Sequence, residues 1–261
     1  MQKVLVMLSG FRRYQSLLYE LVSRDIKIRY RRSVLGLLWT LLNPILMMAV
    51  MTIVFSQLFR FEIENFPIYF FAGNILFSFI TESTTNALYS VVSGASLLKK
   101  VYIPKYLFPV SKVFSSAVNL FFSYIAMLIV MLVTGVAFKP TMFLTPVIAI
   151  YVLMFAIGLG LILATIMVFF RDTAHLYSVI TLAWMYLTPI FYPTSLLGER
   201  LPLALHLNPM YHYITYLRDI TLYNSIPSLH DNLICLSISG VFLLIGLVIF
   251  YRNQDKFILY I

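Results

Sequence analysis

Long uncharged runs alternate with short charged segments along this chain. The first run begins after Arg32 and meets no charged residue until Arg60. That is longer than the about 20 apolar residues that cross a bilayer. Read this way throughout, the pattern predicts six spans, at about 34–59, 66–98, 113–138, 142–170, 174–192 and 232–251. Pro44 lies inside the first span and should kink it. The second run exceeds one bilayer thickness, so it should tilt or project. Lys139-Pro140 marks a tight turn between the third and fourth spans. In the fourth, Ala156, Gly160 and Ala164 recur every four residues, a spacing that lets helices pack closely.

Two segments break the pattern. Over residues 11–28, Phe11, Tyr14, Leu18, Leu21, Val22 and Ile28 fall mostly on one helical stripe, with Arg12, Arg13, Glu20, Arg24 and Lys27 opposite. This predicts an amphipathic helix, either lying in the membrane interface or solvated. Residues 194–231 are too short and too interrupted for a crossing. Leu201 to Leu217 has no charge but contains Pro202, His206, Asn208, Pro209 and His212. Two short helices re-entering the membrane are expected there, since irregular backbone at that depth needs a protein or water-filled cover.

Composition agrees. The 261 residues are 61% hydrophobic and 11% charged, where a soluble domain carries about 25% charged residues. The net charge of +9 raises nucleic acid as a partner, but its distribution argues against one. With a cytoplasmic N-terminus, 15 of the 19 Lys and Arg fall on the inner side, and only Arg60, Lys139, Arg200 and Arg218 fall outside. Both termini are then cytoplasmic. The lone Cys235 excludes an intrachain disulfide, and no cleavable signal is expected at the N-terminus. The fold class is an all-α membrane protein: an N-terminal amphipathic segment, 1–33, then one six-span membrane domain, 34–261, with re-entrant helices before the last span.

Enzyme chemistry finds little support. No phosphate-binding glycine loop is present, so this chain should not bind ATP. His175, His206, His212 and His230 lack zinc-site spacing, and the carboxylates are scattered. Polar rows within the spans are the remaining candidates. Tyr177, Thr181, Trp184, Thr188 and Phe191 share a face of the fifth span, and Asn74, Ser78, Glu82, Thr85 and Tyr89 a face of the second. Such rows face other helices or a cavity. For the second span both readings stand open. For the fifth, aromatic rings suit a cavity holding sugars, although Tyr69, Phe70, Phe191 and Tyr192 also fit an interfacial belt. Glu82 is the one carboxylate deep in a span. It either carries function or is hydrogen-bonded to the serines of the third span, Ser111, Ser115, Ser116 and Ser123. The basic loop Leu97–Tyr106 is either a solvated loop or a docking helix for a cytoplasmic partner.

Several stretches carry a resemblance. They are Arg29-Tyr30-Arg31 through Ser33, Leu35-Gly36, Trp39 and Pro44; Leu98-Lys99-Lys100-Val101-Tyr102-Ile103-Pro104 with Pro109; Phe170-Arg171-Asp172; Trp184 with Thr188-Pro189-Ile190-Phe191-Tyr192; and Leu207-Asn208-Pro209. In this order the chain resembles the membrane subunit of type 2 ABC exporters, in the branch that exports O-antigen, capsule or teichoic acid. It departs where Phe257 is followed by Ile258-Leu259.

The resemblance implies a transporter subunit, not an enzyme, in the bacterial inner membrane. It implies a homodimer around a channel and two copies of a separate cytoplasmic ABC ATPase, which bind ATP and Mg; this chain holds no cofactor. The substrate would be an undecaprenyl-diphosphate-linked glycan. Leu98, Lys99, Lys100, Tyr102, Pro104 and Lys105 would form the main ATPase contact, and Arg171 and Asp172 a second. Trp39, Asn43, Glu82, Tyr177, Thr181, Trp184, Thr188, Phe191 and Tyr192 would line the channel. Arg24, Arg29, Arg31 and Arg32 would attract the carrier diphosphate or simply anchor topology. The rival classes are a type 2 exporter of drugs or lipids, an intramembrane transferase, and a secondary transporter working through Glu82. On this reading Trp184 is a wall residue, and its loss would slow export without lowering abundance.

Overall fold

The computed structural model describes residues 14–31, 35–36, 38–55, 63, 65–100, 103–198 and 201–260. Regular structure among them is all helical. In order the helices are α1 (Gln15–Tyr30), α2 (Leu38–Ile53), α3 (Phe66–Ser93), α4 (Ala95–Leu98), α5 (Leu107–Thr134), α6 (Thr145–Phe169), α7 (Thr173–Tyr186), α8 (Thr194–Gly198), α9 (Pro202–His206), α10 (Pro209–Arg218) and α11 (Leu229–Asn253). A 3-10 turn, Pro140–Leu144, leads into α6; a π turn, Asp219–Tyr223, follows α10; and a 3-10 segment, Gln254–Leu259, follows α11.

Local chemistry explains these boundaries. Proline stands in the first turn of α3, α6, α9 and α10, where its missing N–H costs nothing. Gly135, at φ 71°, ends α5 in the left-handed region. Ser228 and Asp231 form a reciprocal capping box that starts α11. Asn208 caps α10 by accepting from the Met210 amide.

Among the described residues, three segments are long and apolar enough to cross a membrane: Leu107–Thr134, Pro140–Phe169 and Leu229–Leu259. α5 begins at Leu107 rather than near Val113, so Lys112 lies within a helix. α7 has 14 residues and ends at Tyr186. That is about 21 Å of helix, less than the ~30 Å bilayer core. Pro189 lacks an N–H and biases Thr188 away from helix, so the expected fifth span finishes in irregular chain. The interrupted region forms three short helices and a π turn rather than two helices.

α3 is the hub, packed on α5, α6, α2 and α10 and buried along most of its length. The Ala156-Gly160-Ala164 stripe of α6 faces this hub, where a Cβ on Gly160 would stand 2.9 Å from the Ala87 methyl. A second close contact was not visible in that spacing. α6 and α11 form the most extensive helix pair, and they cross backbone to backbone. A Cβ on Gly158 would stand 2.5 Å from the Leu243 amide nitrogen, and one on Gly246 2.9 Å from the Gly158 Cα. Small residues at such crossings replace the missing hydrophobic drive with van der Waals contact.

A second apolar cluster closes one end of the molecule. Leu21 of α1, Leu98, Tyr106, Leu107, Phe250 and Phe257 are buried there together. α1 therefore rests on protein through Leu17, Leu18 and Leu21, while Ile28 is exposed.

Gly158→Leu should destabilise the protein by about 1–3 kcal/mol or more, as overpacked contacts do. Gly240→Ala, on α11 with open space beside it, should be neutral or stabilising by up to about 1 kcal/mol. Thermal unfolding of detergent-purified protein checks both.

Candidate functional site

The polar row of α3 opens onto a cleft of about 600 Å³. Its walls come from four helices: Arg29 of α1, Trp39 and Asn43 of α2, Asn74, Ser78 and Glu82 of α3, and Asn119 and Ser123 of α5. The arrangement follows from helical period. Asn74, Ser78 and Glu82 step by four, so they present one side while the other three sides of α3 bury Phe, Ile and Ala. Trp39 is 46% exposed, an indole platform at the cleft wall.

Glu82 is the electrostatic centre. Arg29 Nη1 donates to its Oε1 at 2.5 Å, Asn119 Nδ2 at 2.8 Å and Ser116 Oγ at 3.1 Å. Behind them Asn86 Nδ2 donates to Ser116 Oγ at 3.4 Å. Each side chain of the ion pair is 35% exposed. Of the serines expected to reach Glu82, Ser116 does. Ser115 instead donates to Asp25 Oδ2 at 3.5 Å, beside the Lys112–Asp25 ion pair at 2.8 Å.

The sequence candidates separate into groups. Trp39, Asn43, Glu82 and Arg29 come together in the cleft. Arg24 pairs with neighbouring Asp25 at 3.3 Å, and Arg31 is exposed; Arg32 lies outside the described residues.

The row that begins on α7 turns into the chain's own interior. Tyr177 is buried, with its hydroxyl 2.5 Å from Thr84 Oγ1. Thr181 is buried and donates to the Tyr177 carbonyl. Trp184 Nε1 donates to Asn208 Oδ1 at 2.7 Å, and its rings meet Phe77 and Phe155 edge-on. Thr188 Oγ1 accepts from Asn208 Nδ2 at 2.9 Å. Phe191 packs on Phe55 and Tyr186, and the Tyr192 hydroxyl donates to the Tyr186 carbonyl at 2.6 Å. The exposed face of α7 is a different one, with Leu176, Val179, Ile180 and Tyr186.

Two further residues hold this region. Asn208 uses all four amide positions: Oδ1 receives Trp184 and the Met210 amide, and Nδ2 gives to the Leu187 carbonyl and Thr188. The Asn-Pro pair that starts a helix was its only local signal. Arg218 is 3% exposed. Its guanidinium donates to the Tyr69 carbonyl at 3.1 Å and the Ile190 carbonyl at 3.1 Å, and sits 3.4 Å from the Tyr69 ring centroid. Charge counting assigned it only to an outer-side segment; within the fold it is an interior brace.

At the opposite end, Lys99, Lys100, Arg171 and Asp172 are exposed, Leu98 is buried, and Pro104 is half-buried; Tyr102 lies outside the described residues. The C-terminal 3-10 segment joins the two loops. Lys105 Nζ donates to the Gln254 carbonyl at 2.6 Å and Arg171 Nη2 to the Tyr260 carbonyl at 3.3 Å, with Phe257 buried between.

The described residues thus form a helical bundle with a polar cleft, apolar membrane-length helices and a basic loop end. The chain belongs to the ABC-2 type transporter family, whose pattern matches residues 16–222. Among its relatives is the O-antigen export system permease protein RfbA of Myxococcus xanthus, 34% identical over 94% of this chain and 95% of that one. The protein of the same name in Klebsiella pneumoniae is 27% identical over 92% and 93%. The capsule polysaccharide export inner-membrane protein CtrC of Neisseria meningitidis is 22% identical over 89% of each.

Because Trp184 is a buttress within the chain's own packing, Trp184→Ala should cost about 3–5 kcal/mol of stability and lower membrane abundance. Trp184→Phe, which keeps the ring and drops one hydrogen bond, should cost about 1 kcal/mol. Thermal unfolding and immunoblotting of membranes separate these outcomes.

Proposed function

We propose that this chain is the membrane subunit of an ATP-driven exporter of a lipid-linked, O-antigen-like polysaccharide. The observation that carries this is end-to-end similarity to a named O-antigen export permease, at 34% identity over 95% of its length. The capsule export relative supports the wider substrate class, a bacterial surface glycan.

In this reading six spans cross the inner membrane with both termini cytoplasmic, and the short helices from Thr194 to Arg218 re-enter from the outer side. Two copies form the pathway, each offering the α2–α3 cleft. Its indole, amides and carboxylate are the side chains that stack on and hydrogen-bond to sugars. Two ABC ATPase subunits dock against the loop 98–106 and the turn at Arg171-Asp172. The tail that ties Lys105 to Arg171 supports a shared docking end, since a push on one loop reaches the other through Phe257.

Deleting the gene in its host should abolish surface polysaccharide and accumulate lipid-linked glycan inside, and restoring the wild-type chain should reverse both. The chain purified alone should hydrolyse no ATP. Unchanged surface polysaccharide in the deletion strain would overturn the reading.

A further inference from the structure

The ion pair between Arg29 and Glu82 joins the last turn of α1 to the middle of α3, 53 residues away in sequence. Glu82 lies about 16 Å along the helix axis from the end of α3 at Ser93. Two features distinguish the pair from a plain structural brace. First, all three donors converge on one oxygen, so Glu82 keeps Asn119 and Ser116 as partners if Arg29 leaves. An acceptor already provided with neutral donors is not stranded by the loss of its cation. Second, α1 has a separate anchor one turn earlier. Asp25 pairs with Lys112 on α5 at 2.8 Å, and Leu21 is buried. Loss of the Arg29 contact therefore frees the end of α1 without detaching the helix.

We infer that Arg29–Glu82 is an exchangeable latch on the cleft, and that a phosphate lipid of net negative charge opens it by taking the Arg29 guanidinium from Glu82. The guanidinium fork matches phosphate oxygens at least as well as a carboxylate. The pair is half-exposed to the cleft, so a ligand can reach it. Glu82 is thus a specificity residue: it is the anion any ligand must outcompete, and neutral lipids cannot. This rests on the proposed function, which supplies a carrier diphosphate as one source of that chemistry; a bulk anionic headgroup is the other.

The test uses the full chain in phosphatidylcholine nanodiscs with farnesyl diphosphate as the probe, and a spin label at Lys27→Cys to report on the end of α1. Glu82→Gln should bind the probe about fivefold more tightly than wild type, the worth of a half-exposed ion pair. Its label should be mobile before any probe is added. Glu82→Asp, with shortened reach, should shift the same way and serves if Glu82→Gln fails to fold. Arg29→Gln should bind about tenfold or more weakly, and adding Glu82→Gln to it should restore nothing, because the two act through one contact. Nanodiscs containing phosphatidylglycerol form the second arm. Mobilisation there without probe assigns the latch to bulk headgroups, and mobilisation only by farnesyl diphosphate assigns it to a polyprenyl carrier. If both Glu82 variants bind the probe no better than wild type, the latch is wrong. Because the probe carries no glycan, that result leaves the export reading standing, just as normal surface polysaccharide in the deletion strain would leave the latch standing.

Discussion

Arg218 sits where water does not reach, held by the carbonyls of Tyr69 and Ile190 and by the face of the Tyr69 ring. The constraint behind it governs the whole molecule: a polar group withdrawn from water must find its partners inside the protein. Ile190 follows the proline that ends α7, where helical hydrogen bonding stops. Arg218 meets that need from the end of α10 and thereby fixes the short helices against the start of α3. Asn208 does the same at the other end of α10, with every amide position in use.

The same constraint shapes the cleft. Glu82 could not stand in α3 without donors, and Arg29, Asn119 and Ser116 supply them from α1 and α5. The result is a pocket whose charge is balanced by a residue on another, less deeply held element. The α6–α11 crossing works differently. There the backbones meet at Gly158 and Gly246, and contact distance rather than polarity sets the geometry. A rigid seam on one side and an ion-paired cleft on the other suit a family of transport components. The tail, with Lys105 and Arg171 both holding it, links the basic loops at the far end.

Much was legible along the chain. Charge spacing and apolar run length marked α3, α5, α6 and α11, because the bilayer demands long uncharged segments whatever their neighbours. Lys139-Pro140 marked the turn that leads into α6, because φ and the missing N–H are local properties. The polar row of α3 followed from the helical repeat, and so did the prospect that Glu82 bonds to the third span. The family resemblance was legible for the same reason, being written in short ordered motifs.

What the sequence could not decide was which side of a polar row faces what. Tyr177, Thr181, Trp184 and Thr188 share a face by period alone, but period does not say whether that face meets a cavity or a neighbouring helix. Thr84 and Asn208, distant in the chain, turn it inward. Arg218 entered only as one charge in an outer-side segment, since nothing within reach along the chain announces carbonyls at Tyr69 and Ile190. Arg29 and Glu82 lie 53 positions apart, and no local rule joins them. Length, charge and turn chemistry act within a few residues and are fixed by the amino acids themselves. Pairing between remote polar groups exists only once the helices are packed.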